Sequence, residues 1–264
     1  DKKELGFVLK NLKKYKIEVI SSGGTFKEIK RLGYKCVELS KYTGFPEILD
    51  GRVKTLHPKI HAGILSKRNN KKHTKELKNN NFSGIDLVIV NFYPFENVLK
   101  KTNDSKKIIE NIDIGGPTLV RAAAKNYNDV TVITDAKYYK NLINELNSNK
   151  GFTSLDFRKK MSEIAFTETA YYDSVISNYF SINSKKIFKE KKIIYGKLLK
   201  ELRYGENPHQ KAILYSKNNN IGLDQLSGKE LSYNNYGDIF SSLSISKSLP
   251  KNVGTVIVKH SNPC

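Results

Sequence analysis

The chain has 264 residues, enough for one large domain or two smaller ones, and a formal net charge of +20 at pH 7. This charge attracts anions. The lysines are spread along the chain with asparagines rather than gathered in an arginine-rich, aromatic patch, so we expect no specific nucleic-acid partner. Cys36 and Cys264 fit neither a disulfide framework nor a CxxC metal site, which favours a cytoplasmic location. No apolar run reaches membrane-spanning length, so we expect no membrane partner.

The first segment that could form a binding site is a glycine-rich turn. Residues 17–20 have the composition of a short strand, the run Ser22-Gly23-Gly24-Thr25 follows, and a helix is predicted from Thr25 to Leu32. A strand, a glycine turn and a helix start together make an anion site, because free backbone N–H groups and the positive end of the helix face the turn. A plain tight turn is the commoner alternative. The run is neither a Walker A loop nor GxGxxG, so it does not indicate ATP or a dinucleotide.

The second segment is basic and ends in a proline. It contains Arg52, Lys54, Thr55 and His57. Pro58 disfavours helix at the preceding residue, so the segment is predicted to be extended or looped. In an extended chain Arg52 and Lys54 would point the same way, and an anion between them would make a phosphate clamp. The alternative is a solvated basic loop. His57 and His61 lie four residues apart, but Pro58 argues against a helix there and no third ligand is near, so no metal site is predicted.

Two further segments place polar side chains at the ends of predicted elements. Residues 85–90 are predicted to form a central parallel strand, and Asn91 and Tyr93 follow its end, where open α/β sheets bind ligands. Asp113, Ile114 and a glycine pair precede a helix that is predicted to begin near Pro117 and to continue through Lys125. The alternatives are that Asn91 is only a turn amide and Tyr93 only a half-buried ring. For the helix, the alternative is a cationic face that is merely exposed to solvent.

The last part of the chain contains a long helix and then a second unit. Residues 155–180 are amphipathic, with Ser154 as the expected N-cap. Residues 183–192 lose the hydrophobic pattern and gain lysine, and we predict a linker there. The following residues, 193–264, end on a strand that delivers Lys259 and His260, a pair suited to proton transfer. Roughly 70 residues are too few to build the core of a large domain.

Eight segments, in this order, carry a family resemblance. They are Ser22–Thr25, Thr43–Glu47, Gly51–Pro58, Asn91–Phe95, Asp113–Gly116, Arg121–Asn126, Leu202–Gln210 and Lys259–Cys264. Each alone is a modest signal, but together the chain resembles the bifunctional purine-biosynthesis enzymes that transfer a formyl group to AICAR and close formyl-AICAR to inosine monophosphate (IMP).

The resemblance implies a fold and a domain organisation. The expected fold is α/β. It begins with a methylglyoxal-synthase-like (MGS-like) three-layer domain with a mostly parallel sheet over residues 1–182, which lacks the family's first strand and a Ser-x-Ser motif. A linker at 183–192 and a truncated α/β transformylase segment at 193–264 follow. Most of the transformylase domain is missing from this sequence, so formyl transfer and folate binding are expected only in the full-length protein.

The resemblance also implies the site residues. For the cyclohydrolase, the substrate-binding residues are Lys2, Ser22, Gly23, Gly24, Thr25, Arg52, Thr55, Val90, Asn91 and Ile114. The catalytic residues are Lys54, Tyr93, Asp113 and Lys125. As a hypothesis, Lys54 and Tyr93 hold the formyl oxygen while Lys125 with Asp113 handles protons. In the second unit, Arg203 and Tyr204 match AICAR-binding positions, and Lys259 and His260 match the transformylase catalytic pair.

The implied ligands and partners are formyl-AICAR and IMP, with a homodimer as the assembly. The cyclohydrolase needs no cofactor or metal, whereas the full-length transformylase uses 10-formyltetrahydrofolate as co-substrate. Two alternatives stay open. A non-catalytic, nucleotide-sensing MGS-like module would need the cradle at residues 22–25 but not Tyr93, Asp113 and Lys125 together. An RNA-binding protein would use the +20 charge and bind arbitrary RNA in a salt-sensitive way.

Overall fold

Helices alternate with short parallel strand pairs through the first part of the computed structural model, which describes residues 2, 4–182, 190–217 and 220–263. Strand β1 (Ile20–Ser21) pairs with β2 (Val37–Glu38), and β3 (Leu87–Ile89) pairs with β4 (Thr131–Ile133), both in parallel. The α/β class and the parallel pairing predicted from the sequence are confirmed. The strands are shorter than predicted and form two separate pairs among the described residues.

The chain divides into two compact units, residues 1–187 and 188–264. The helices of the first unit are α1 (Leu5–Lys14), α2 (Gly23–Arg31), α3 (Leu39–Thr43), α4 (Pro58–Leu65), α5 (Lys71–Asn79), α6 (Phe95–Lys101), α7 (Ser105–Glu110), α8 (Gly115–Lys125), α9 (Tyr139–Ser148) and α10 (Leu155–Ile182). Helix α2 begins two residues before its predicted start, at the glycines themselves. The glycine run is therefore the first turn of the helix.

The core of the first unit lies where β3 and β4 meet α8 and α10. The alanine face of α8, residues 122–124, is buried, and these small side chains let α10 approach closely. Ser162 on α10 donates a hydrogen bond to the carbonyl of Ala124 at 2.8 Å. Ser154 accepts from the backbone N–H of Phe157 at 3.2 Å, so its predicted capping role is confirmed. This packing holds the loops at the carboxyl ends of β3 and β4 in place.

The second unit contains two antiparallel strand pairs and one helix among its described residues. Strand β5 (Lys197–Glu201) pairs with β6 (Ile213–Ser216), α11 (Tyr233–Ser248) follows, and β7 (Val258–Lys259) pairs with β8 (Asn262–Pro263). Residues 183–189 of the predicted linker lie outside the described residues, so the boundaries 1–182, 183–192 and 193–264 stay predictions. No helix in the described ranges has both the length and the apolar character needed to cross a membrane.

Candidate functional site

The start of α2 has the features of an anion cradle. Ser22 precedes the helix in an extended conformation and its side chain caps no backbone N–H, so the N–H groups of the first turn have no partner within the helix. Gly23 has φ +53°, a left-handed conformation that glycine adopts without steric cost. The Lys2 ammonium donates to the carbonyl of Gly24 at 3.0 Å. Free N–H groups, the helix dipole and a nearby ammonium together favour a bound phosphate.

The Lys54 ammonium lies at the same turn. Its Nζ is 3.6 Å from the point where a β carbon on Gly23 would stand, and 3.4 Å from the corresponding point on Gly51. It is also 3.7 Å from Oε1 of Glu47, and its charge acts on the Asp113 carboxyl. Lys54 therefore links three parts of the chain. These are the glycine turn at Gly23, the loop that contains Glu47 and Gly51, and the segment with Asp113 that precedes α8.

The basic segment is a turn rather than an extended strand. Leu49, Asp50 and Gly51 all have positive φ, at 51°, 53° and 84°, and the turn continues through residue 55. Alternation of side chains between two faces does not apply in such a backbone. Of the two conformations predicted for this segment, the loop is confirmed, and the expectation that Arg52 and Lys54 share one face of an extended chain is wrong.

Arg52 has a carboxylate partner of its own. Its Nε donates to Oε1 of Glu110 at 3.2 Å, and its Nη2 pairs with Oε2 of the same residue. Both side chains are more than half exposed, at 66% and 57%. The ion pair ties the turn to the last residue of α7, three residues before Asp113.

Asp113 is a partly buried acid of the site. Its Oδ1 accepts from the N–H of Gly116 at 2.9 Å, which caps α8, and its own N–H donates to the hydroxyl of Tyr172 at 2.8 Å. Burial raises the pKa of the Asp113 carboxyl, while the Gly116 N–H and the Lys54 charge oppose that rise. A carboxyl group with these neighbours is a candidate for proton transfer.

The side chains of the other predicted site residues in the first unit are either engaged in contacts within the protein or exposed. The Thr55 hydroxyl packs on Gly115 so closely that a β carbon has no room there. The Asn91 side chain donates to the carbonyl of Thr134 at 3.0 Å and accepts from the Tyr139 hydroxyl at 3.2 Å, so its amide joins the ends of β3 and β4. The Val90 N–H extends the strand ladder to Ile133, and the side chains of Tyr93 and Ile114 are exposed.

A cleft of about 370 Å³ adjoins the glycine turn. Its lining residues include Ser22, Gly23 and Lys54, together with Phe45 and His57. This volume lies in the range of small-molecule sites. The cradle and the cleft together can hold a phosphate and the group attached to it.

Lys125 lies away from these groups. It is the exposed last residue of α8, whereas Asp113 and Gly115 stand at the beginning of that helix. Ten residue steps of an α-helix span about 15 Å, more than a lysine side chain covers. Within one copy of the chain, Lys125 is therefore not brought to the cradle, and its role in proton transfer stays a prediction.

The structure gives no metal-ligating group of three or more His, Cys, Asp or Glu side chains within the described ranges. The expectation that Pro58 argues against a helix between the two histidines is wrong. Pro58 begins α4, because a proline suits the first helical turn. His57 caps this helix, accepting from the N–H of Lys59 at 3.1 Å.

In the second unit, the AICAR-binding and catalytic positions predicted by resemblance both adjoin α11. Arg203 donates to the Tyr204 hydroxyl at 3.1 Å, and hydrogen bonds from Ser232 and Arg203 lower the pKa of that tyrosine. His260 and Ser261 form the turn between β7 and β8, with φ angles of 54° and 61°. The N–H of Ser261 donates to Asp238 on α11 at 2.7 Å. The roles of Arg203, Tyr204, Lys259 and His260 stay predictions.

Three acidic or phenolic side chains at the site were not identified from the sequence. Glu47 and Glu110 pair with the two basic residues, and Tyr172 holds the Asp113 main chain. Glu47 lies inside one of the resembling segments, which was the only available signal. Tyr172 is one of several bulky residues in a long amphipathic pattern, where nothing separates it from ordinary core packing.

The strand pairing and the glycine turn at the start of α2 define an MGS-like domain, and the sequence model of that domain matches residues 4–118. A second family model, described as the AICARFT/IMPCHase bienzyme, matches residues 123–264. The chain belongs to the AICARFT/IMPCHase bienzyme family.

Individual relatives agree with this placement. The chain is 44% identical to the bifunctional purine biosynthesis protein PurH of Bradyrhizobium diazoefficiens, which aligns with 100% of the chain and 51% of that protein. It is 46% identical to PurH of Persephonella marina, over 97% of the chain and 51% of the relative. The crystal structure of ForH superposes with a TM-score of 0.61 at 27% identity, covering 68% of the chain and 94% of ForH. The chain spans about half the length of the PurH relatives.

Proposed function

We propose that the first unit binds a purine nucleotide and closes formyl-AICAR to IMP with loss of water. The observation that carries this proposal is the position of Lys54, whose ammonium lies at the Gly23 turn and whose charge acts on the Asp113 carboxyl. One small molecule can then have its phosphate on the turn and its reacting groups near the acid. Family membership and the similarity to PurH support the same reaction.

The proposed binding mode follows from the cradle. The phosphate accepts from the N–H groups of the first turn of α2 and from Lys2, with the Ser22 and Thr25 side chains beside it. Arg52 and Thr55 extend the same surface. The base lies near Ile114 and the carboxyl end of β3, where Val90 and Asn91 contribute main-chain atoms because the Asn91 amide is already engaged.

The chemistry needs positioning and proton transfer. The carboxamide nitrogen attacks the formyl carbon of the same molecule, a new C–N bond forms, and the formyl oxygen leaves as water with two protons that come from the two nitrogens. Holding the reacting atoms together contributes several kcal/mol, on the order of known intramolecular reactions. We assign the developing oxyanion to Lys54 and Tyr93, and a well-placed donor of this kind contributes about 3 kcal/mol.

Proton transfer is assigned to Asp113 with a lysine. Burial of the Asp113 carboxyl raises its pKa, which suits an acid that alternates between donor and acceptor. Lys54 is the lysine whose charge acts on it within the same chain. Lys125 takes part through a second copy of the chain, since in its own chain it lies at the far end of α8. This assignment joins the cyclohydrolase proposal to a homodimer.

The remaining functional proposals concern the whole protein. In its full length it also transfers a formyl group from 10-formyltetrahydrofolate to AICAR, with Arg203 and Tyr204 as AICAR ligands and Lys259 and His260 as the catalytic pair. The homodimer is supported by large apolar side chains that stay exposed beside the site, among them Ile109 and Ile114. The cytoplasmic location is supported by the absence of a disulfide pattern in the sequence.

The proposal is tested by adding formyl-AICAR to the purified chain and following the absorbance change of ring closure. The Lys54→Met variant should lose most turnover and bind IMP about 10- to 100-fold more weakly, because it lacks a charge-assisted contact to the ligand. Lys72→Met, which removes an exposed lysine of α5 paired with Glu76, is the matched control and should behave as the wild type. A wild-type chain that binds no nucleotide contradicts the proposal.

The nucleotide-sensing module, the alternative left open by the sequence, is not favoured by the family membership or by the similarity to PurH. It requires IMP binding without any turnover of formyl-AICAR. Calorimetric titration with IMP beside the absorbance assay separates the two functions. Binding with no ring closure by the wild-type chain would favour the sensor.

A further inference from the structure

Tyr172 of α10 is a buried residue whose hydroxyl contacts the candidate site. The residue is 6% exposed, and its ring packs against Phe92 and Phe95 with centroid separations of 5.2 and 6.2 Å. Its oxygen accepts the N–H of Asp113 at 2.8 Å. The ring is therefore fixed by packing, and the hydroxyl is a rigid acceptor for the main chain of Asp113.

This hydrogen bond is one of two anchors on Asp113. The other is the carboxyl group, whose Oδ1 accepts the N–H of Gly116 at 2.9 Å and which packs directly on that glycine. The main chain is held from α10 and the side chain from α8, so the carboxyl group has one position. A buried N–H that loses its partner is costly, so the chain would shift if the hydroxyl were removed.

We propose that Tyr172 is a positioning residue for the ring-closure reaction, since its hydroxyl fixes the Asp113 main chain and thereby places the carboxyl group relative to Lys54. This inference rests on the proposed cyclohydrolase function. The inference about Tyr172 can be tested separately from the cyclohydrolase function, because the hydrogen bond can be examined without any substrate.

The charged and titratable groups around this pair come from several elements. The Asp113 carboxyl faces Lys54 of the basic turn and the N–H of Tyr93, and the Tyr172 hydroxyl lies near Asp113, Asp173 and Tyr93. Burial raises the pKa of both the carboxyl and the phenol. A displaced Asp113 gains hydration, so its pKa falls toward the ordinary value.

The test is the Tyr172→Phe variant, which keeps the ring and removes one oxygen. We expect kcat for formyl-AICAR to fall about 5- to 100-fold, in line with the loss of a buried hydrogen bond, while the Kd of IMP changes less than threefold. We also expect the acidic limb of the kcat profile to move to lower pH. Hydrogen exchange at the amides of residues 111–116 should become faster.

The matched control is Tyr171→Phe, the neighbouring residue on the same helix. Its hydroxyl donates to Oε1 of Glu96 at 2.7 Å, so this variant also loses a tyrosine hydrogen bond but leaves Asp113 untouched. It should keep the wild-type pH profile. The inference is overturned if Tyr172→Phe keeps the wild-type kcat, acidic limb and exchange rates, or if Tyr171→Phe reproduces its effects.

The experiments distinguish failure of the cyclohydrolase proposal from failure of the inference about Tyr172. A wild-type chain without turnover contradicts the cyclohydrolase proposal, while faster exchange at residues 111–116 in Tyr172→Phe alone would still support the anchoring of Asp113. Binding of IMP by the variant shows that it is folded.

Discussion

The ammonium of Lys54 lies 3.6 Å from the point where a β carbon on Gly23 would stand. The two residues come from different segments, one from the basic turn and one from the start of α2. Gly23 has φ +53°, a conformation that glycine adopts without steric cost, and the lysine ammonium lies beside its unsubstituted α carbon. The Lys54 ammonium adds a positive charge beside the N–H groups at the start of α2, and this combination distinguishes the candidate site from an ordinary helix start.

Gly23→Ala should therefore weaken nucleotide binding. The left-handed conformation costs a non-glycine residue about 1–2 kcal/mol, and the methyl group stands where the phosphate is proposed to bind. We expect the Kd of IMP, measured by calorimetry, to rise at least tenfold. Gly6→Ala is the control, because Gly6 lies in α1 with nothing within 4 Å of an added methyl group and should not affect binding. Equal affinities for the Gly23 variant and the wild type would remove the turn from the site.

Glu110→Gln should tighten nucleotide binding. Glu110 pairs with Arg52, and an anionic ligand in the cradle competes with it for the guanidinium. Because exposed ion pairs contribute up to about 1 kcal/mol, we expect the Kd of IMP to fall about two- to fivefold. Inosine, which lacks the phosphate, should bind with unchanged affinity.

The control for the Glu110 variant is Glu76→Gln, which removes the same charge from the exposed pair with Lys72 on α5. If both variants tighten IMP binding equally, the effect comes from net charge rather than from Arg52. In the Arg52→Ala background, Glu110→Gln should have no effect on affinity.

Asp113→Asn should gain stability relative to the wild type as the pH rises. Burial raises the pKa of Asp113, so between about pH 4, where an unfolded aspartate titrates, and the folded pKa, the folded chain holds the proton more tightly. In that window the unfolding free energy contributed by Asp113 falls as the pH increases. Asparagine does not titrate and can still accept from Gly116, so the difference between variant and wild type should grow.

Urea denaturation of the two proteins at several pH values between 4 and 7 measures this difference. Asp156→Asn, at an exposed position in the first turn of α10, is the control and should not show the same trend. A difference that shrinks with increasing pH would contradict the assigned direction of the pKa shift. Turnover of formyl-AICAR should be lost in Asp113→Asn, because the amide cannot transfer the proton.

The sequence was sufficient to predict the α/β class and some of the elements, such as α10, because hydrophobic periodicity and glycine-rich turns are local signals. It did not predict α4, which begins at the proline that was expected to disfavour a helix. It could not predict how the basic segment turns. Pro58 limits only His57, whereas the positive φ angles of Leu49 and Asp50 lie upstream of it. Within the turn, Arg52 pairs with Glu110 and Lys54 with Glu47, and such side-chain partners are not visible in a local sequence pattern. The extended geometry was wrong for that reason.

The same limit explains Tyr172 and Asn91. A tyrosine in an amphipathic helix is normally core, and only the tertiary structure shows that its hydroxyl meets Asp113, 59 residues away. Asn91 follows a strand at the expected place, but its amide is used between β3 and β4, since the groups that it bonds, Thr134 and Tyr139, come from later in the chain. Position along a strand was predictable, whereas side-chain partners were not.

Lys125→Ala separates binding from proton transfer. Lys125 stands about 15 Å along α8 from Gly115 of its own chain. Its proposed role is proton transfer rather than contact with the phosphate or the base, so the variant should bind IMP with an affinity close to that of the wild type. Its proposed role as a proton donor and acceptor predicts a loss in turnover of about a hundredfold or more. Because the lysine of the same chain does not reach Asp113, this loss requires a second copy of the chain. Mixing inactive Lys125→Ala with inactive Asp113→Asn should then restore part of the activity, since a mixed dimer has one site with both groups intact. Wild-type turnover by Lys125→Ala alone would exclude the lysine from the reaction and leave proton transfer to Lys54 and Asp113.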